Sequence, residues 1–321
     1  MFTVVLSMNF SSVPACAATR GTAISTANDL KAMASNPGGS YYLANDIEVP
    51  ANLILFTSYD APFTGTLDGN GHTIKGYTYT ASADWTEQAA LFGYAKNATF
   101  KNLKMTEVNI SLNQAGTAAA LVAASENCKF TDISVSGKIV GKSLSTAAGI
   151  VAYSYEGGTL TNCKNSADIT ITNADEGSSA AGVAGFIGSA GSMKNCSNSG
   201  KISISGSIEA ASISAAGVVL GVGKATSCKN SGTISVSAIG NGSMNDACIA
   251  AGVAVEVDTA VSCSNTGKVS MNATVEAVDP HRVGGVFGSV TKSASKCYNK
   301  GAVSFSGKSY RGLYVGGLGA Y

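Results

Sequence analysis

The chain has 321 residues, of which 13% are charged, and 21 cationic against 20 acidic residues leave a formal net charge of +1. With 38 glycines against 5 prolines, the composition suits stacked strands and tight turns better than helices. The lysines are scattered along the sequence, which gives no basic face for nucleic acid, and no later stretch reaches the ~20 apolar residues of a membrane helix.

Residues 1–18 read as a secretory signal: an apolar stretch from Phe2 to Phe10 precedes an Ala-x-Ala site at Ala15, Cys16 and Ala17. The basic start of such a signal is missing, and Pro14 argues against Cys16 as a lipid anchor. Residues 19–80 form a cap and first strands. Ser25 or Thr26 caps a short helix whose apolar side is Leu30, Met33 and Ala34, and Asn36-Pro37-Gly38 stops it. "YYLANDIEV" and "FTGTLDGNGHTIKGYT" then enter as strands.

From 81 to 321 the chain repeats. Cysteines at 128, 163, 196, 228, 263 and 297 are separated by 35, 33, 32, 35 and 34 residues. Two residues after each cysteine from Cys163 onward stand Asn165, Asn198, Asn230, Asn265 and Asn299. Apolar residues follow with period two, such as Ile169 and Ile171 or Ile202 and Ile204, as in a strand with one buried face. Upstream of each cysteine lies a Gly-rich segment, "AAGIVAYS", "AAGVAGFIG", "AAGVVLGVG", "AAGVAVEV" or "VGGVFGSV", predicted as one strand whose Val, Ile and Phe fill an interior.

Stacking such coils gives the predicted fold: all-β, a right-handed parallel β-helix (solenoid) with a short N-terminal capping helix. Stacked repeats place Cys128, Cys163, Cys196, Cys228, Cys263 and Cys297 in one interior ladder of free thiols, because a single recurring core position explains the period better than pairwise bridges do. The asparagines form a second structural ladder, in a turn that visits left-handed backbone space. No metal site is expected, since no CxxC and no nearby His accompany these cysteines. The chain stops at "YVGGLGAY", the start of another coil, so a truncated C-terminus or a missing module is expected.

The run "YYLANDIEV...FTGTLDGNGHTIKGYT...AALFGYAKNATFKNLKMTEVNI", with later "GGVFG" and "GGLG" units, resembles the GLUG-motif repeat proteins of bacterial cell surfaces. It is also similar to segments in front of the protease domain of zinc metallopeptidases that cleave immunoglobulin A. The resemblance spans roughly Leu30 to Tyr321 and implies architecture and a surface location more than an activity, because such repeats occur in adhesins, stalks and large secreted enzymes. Coils such as "AAGVVLGVG" and "AAGVAVEV" depart from the sharper motif.

Candidate ligand-binding residues lie in the polar loops and in one interrupted strand. Asp175, Glu176, Glu209, Asp246, Glu276 and Asp279 occupy corresponding loops that would line one edge; solvated loop charge is the plainer explanation. His281 lies in a loop beside Arg282. Glu256 and Asp258 interrupt an apolar strand, and alternation can turn both outward, leaving Val255 and Val257 inside. Asp68 and His72 read as a Gly-Asn turn entering a strand. HExxH and GxxxxGK[ST] are absent, so no catalytic residue, metal or cofactor is assigned. Enzymatic activity is left open, and a role without it is favoured.

The expectation is a secreted or surface-displayed bacterial adhesin or scaffold that binds a host surface protein or glycan through loops on one edge, with no membrane span. The alternatives are a polysaccharide-active enzyme or glycan-binding module on the same coils, and a passive stalk for a missing domain.

Overall fold

The computed structural model describes residues 21–81, 87–113, 115–174, 177–206, 212–244, 247–277, 279–309 and 312–319. Period-two segments that are too short to bury a face alone do so by winding into a parallel β-solenoid of about seven turns. A sheet of 25 strand segments wraps most of each coil, and a second sheet of 8 closes it. Every named pair is parallel, such as Ile169 on Ile202 and Ile234 on Val269.

The helix Ala27–Ala32 covers the first coils. Thr26 caps it: Asp29 N–H donates to Thr26 Oγ1 at 3.2 Å, and Thr26 N–H donates back to Asp29 Oδ2 at 2.9 Å. Leu30 and Met33 are buried beneath it. Two segments entering after this cap, Thr66–Asp68 and Thr73–Lys75, join the large sheet.

The Gly-rich segments differ from the single strands expected of them. Ser178–Ala181 belongs to the small sheet and Ala184–Ile187 to the large one, with the corner at Gly182. The reason lies across the core: a Cβ on Gly182 would meet the carbonyl of Gly217 and the side chain of Asn198. The same pairing holds for Gly149 with Asn165, Gly217 with Asn230 and Gly252 with Asn265. The glycine at the corner and the ladder asparagine that follows it in the chain are therefore one packing unit.

Those asparagines are buried and fully bonded. Asn198 Nδ2 donates to Gly200 O at 2.8 Å and to Asn230 Oδ1 at 2.9 Å, while its own Oδ1 accepts from Asn165 Nδ2 at 2.8 Å. The row continues from Asn230 to Asn265 and from Asn265 to Asn299. Left-handed backbone falls elsewhere than expected, on the residue before each ladder cysteine: Asn162, Asn195, Ser227, Ser262 and Lys296 have φ of 56, 54, 54, 56 and 56°. There the chain turns sharply to place the cysteine inside.

Cys163, Cys196, Cys228, Cys263 and Cys297 lie in one row with free thiols, as the register of the residues just after them shows. Contact with Cys196, together with burial, pushes the Cys228 thiol up to about 12. Cys128 is outside this row, contrary to the expectation from spacing. It pairs with Gly158, and Ser134 pairs with Lys164, so Ile133 is the residue above Cys163. The coil here is 30 residues long, as Ser134 on Lys164 shows, so Cys128 stands five residues ahead of the ladder position and the 35-residue gap is coincidental.

Candidate functional site

The first part of the large sheet in each coil carries one outward row. Its register runs from Tyr94 through Ala124 to Tyr153, then through Phe186 and Gly221 to Glu256 and Ser289. Phe186 is 41% exposed although its motif was read as interior. In Ala184–Ile187 the neighbours of Phe186 are buried and it alone faces out, because the strand alternates after the corner.

The aromatic residues of this face contact one another. Tyr153 stacks on Phe186 with ring centroids 6.0 Å apart and planes 13° from parallel, and on Tyr155 at 5.9 Å and 6°. The Tyr153 hydroxyl is tied to Thr146 Oγ1 at 2.5 Å, which fixes the ring. Tyr59 meets Tyr94 edge to face at 5.8 Å. Beside them Lys96 pairs with Glu126 at 2.6 Å, and the hydrogen bond to Glu126 holds the lysine above its usual range.

Beyond Phe186 the row opens into a cleft of about 210 Å³, walled by Phe186, Glu256, Asp258 and Thr291 and floored by Gly221. A Cβ at Gly221 would sit 3.0 Å from the Phe186 ring, so glycine leaves the face of that ring clear. Glu256 is exposed, Val257 is buried beneath the strand, and Val255 packs in a small cluster with Ala216, Leu220 and Ala251. Asp258 accepts from Lys292 Nζ at 2.8 Å and from Thr291 Oγ1 at 2.6 Å, and these bonds hold its carboxyl below the ordinary range. It is thus an ionised acceptor, unsuited to donate a proton.

The other candidates are dispersed. Asp175, Glu176, Glu209 and Asp246 lie outside the described residues, and Glu276 stands on Val269–Ala277 with its side chain outside them. Asp279 is exposed. His281 is not in a loop: it starts the strand His281–Gly284 with 1% exposure, and its Nδ1 accepts from Cys248 N–H at 3.1 Å. Its ring lies 6.3 Å from that of Phe305, which puts it in the interior and out of reach of a loop ligand. Arg282 is half-buried on the same strand.

Asp68 and His72 serve separate networks. Asp68 accepts from Asn70 N–H at 2.8 Å and Asn102 Nδ2 at 3.0 Å and pairs with Lys101 at 3.2 Å, whereas His72 meets Asp46 at 3.3 Å. Among the described residues no group of three or more His, Cys, Asp or Glu is placed to hold a metal ion, and no helix is long and apolar enough to cross a membrane.

A face of aromatic rings ending in carboxylates can stack on apolar ring faces and can accept hydrogen bonds from hydroxyls. Residues 17–137 match the N-terminal region of the M26 IgA1-specific metallo-endopeptidases. That match covers the cap and the first coils, the part of the chain with the aromatic core. The whole solenoid is similar in fold to a candidate immunoglobulin A1 protease from Bacteroides ovatus, with a TM-score of 0.50 and 15% identity over 90% of this chain and 84% of that one. No curated protein matches the sequence.

Proposed function

We propose that this chain is an exported, surface-displayed binding scaffold that takes a glycan, free or on a host glycoprotein, on its outward aromatic face. The observation that carries this reading is the row of half-buried Tyr153 and exposed Phe186 leading over Gly221 to exposed Glu256, side by side on consecutive coils. Sugar rings offer an apolar face to such aromatics and hydroxyls to such a carboxylate. The match to the N-terminal region of IgA1-specific peptidases supports a role beside an immunoglobulin-directed activity, with the binding surface on the solenoid. The polar loops are a second part of the same proposal, as an edge that contacts the carrier protein.

The test is retention of the purified chain on immobilised neutral polysaccharides and on immunoglobulin A1, scoring bound protein and released soluble fragments together. Retention without release, weakened roughly tenfold by Phe186→Ala, is the expected result. Release of sugar fragments would replace the scaffold with an enzyme, and unchanged retention in Phe186→Ala would remove the aromatic face from the account.

A further inference from the structure

A second surface lies at the left-handed corner of the coils, where the aromatic face does not reach. The residue after the ladder position in each coil stacks there in unbroken parallel register, with its lysines exposed and Ser264 buried. Lys104, Lys164 and Lys229 alternate in that row with Ser134, Ser197 and Ser264, and the row ends on Tyr298. The lysines that look scattered in sequence are thus aligned by the coil period.

The row lines a groove. One stretch of about 560 Å³ runs past Lys104 and Lys164, another of about 620 Å³ past Lys229 and Tyr298, and Asn195 belongs to both. The facing wall is the left-handed corner itself, amides, hydroxyls and the Asp132 carboxylate from Asn102 to Ser262, ending on Lys296. Lys300 Nζ stands 5.5 Å over the Tyr298 ring at that end.

Its lysines outnumber its carboxylates. Lys104, Lys164 and Lys229 are exposed, and none of them is in an ion pair among the described residues, whereas Lys75, Lys96, Lys101 and Lys292 elsewhere each meet a carboxylate. Asp132 is the one carboxylate lining the groove, and its Oδ1 is occupied by Asn162 Nδ2 at 2.9 Å. A chain of net charge +1 therefore concentrates positive potential in one channel.

We propose that this groove binds a linear acidic polysaccharide whose negative charges recur once per disaccharide. Coils stack at about 4.8 Å, so lysines on alternate coils recur at about 9.6 Å, a spacing of the order of one disaccharide. Each ammonium is a compact charge suited to a carboxylate or sulfate, and the serines and amides between them match the hydroxyls of the intervening sugar. A nucleic-acid strand fits poorly: a duplex strand carries one charge per about 3.4 Å, far denser than the lysine row.

The experiment is titration of the full chain with size-defined hyaluronan oligosaccharides at low and at physiological salt, with dextran and single-stranded DNA of equal length as comparison probes. Hyaluronan is expected to bind with an affinity that falls as salt rises, whereas any binding of dextran is expected to respond neither to salt nor to the lysine substitutions. Lys164→Gln combined with Lys229→Gln should cost about tenfold or more at low salt and flatten the salt dependence, and the Lys→Arg pair should restore most of it. Both sites are exposed, and an unchanged circular dichroism spectrum checks the fold. Lys142→Gln, which removes an exposed lysine outside the groove, should bind hyaluronan as the parent does, which separates the lysine row from charge elsewhere on the surface. Hyaluronan binding unaffected by the Gln pair, or tighter binding of DNA than of hyaluronan, would overturn the proposal.

Discussion

The first coils and the last ones fill the same cross-section by opposite means. One interior row reads Leu67, Phe100, Phe130, Leu160, Met193, Ala225 and Ala260 from coil to coil, bulky at one end and small at the other. Phe63, Phe92 and Phe100 pack within 5.1–5.5 Å of one another, and Phe100 stacks on Phe130 at 5.3 Å. Where that bulk fades, the Asn ladder begins: Met105 and Val135 occupy its position in the early coils, Asn165 onward in the late ones. The corner changes in step, from Ala120 to Gly149 and Gly182. The first half is held by apolar volume, the second by paired amides and close backbone approach.

The largest expected effect is in the aromatic half. Phe100→Ala should cost about 3–5 kcal/mol in chemical denaturation, since it empties the centre of the four-ring cluster, whereas Ala225→Gly in the same row should cost only about 1. The reverse ordering would break the division into halves. Next is the corner. Gly217→Ala forces a Cβ against Gly252 O and Asn230, at a cost of about 3 kcal/mol, while Ala120→Gly costs about 1. Melting temperature reads both.

Asn230→Val should follow at about 2–3 kcal/mol, because it strands the Asn198 donor and the Gly232 carbonyl in a dry interior. The smallest stability effect is at Asp68. Burial raises this carboxyl, but the bonds from Asn102, Asn70 and Lys101 outweigh it and hold the group below its ordinary range. Its stabilisation is therefore present above the unfolded pKa and lost as pH falls through the lower folded one; Asp68→Asn should remove less than about 1 kcal/mol at neutral pH and blunt the acid transition. The thiols sharpen the picture without changing stability. Cys297 is partly exposed, and it should alkylate before the six other described cysteines, including Cys128, which burial pushes up to about 11.

Most of the architecture was legible in sequence because a solenoid repeats its constraints. Period-two pairs, the Thr26 cap and the cysteine beat each specify a local geometry that stacking then reproduces. Cys128 shows where that logic fails, since chain spacing cannot reveal that the coil there is 30 residues long and gives the ladder position to Ile133. Phe186 and the lysine row were hidden for a related reason. Whether a side chain faces in or out after the glycine corner, and which residues on distant coils become neighbours, are set by three-dimensional register. His281 was misplaced because the strand begins directly after Pro280 and draws the imidazole inside.

The amide row also sets how the rod comes apart. Each Asn donates to the next in one direction, from Asn165 to Asn299. Opening the coil of Asn230 severs two of these links, while opening the coil of Asn299 severs one. Nearest-neighbour coupling of this kind makes an interior break dearer than fraying, so the late coils should unzip from an end, turn by turn, and reclose in the opposite order.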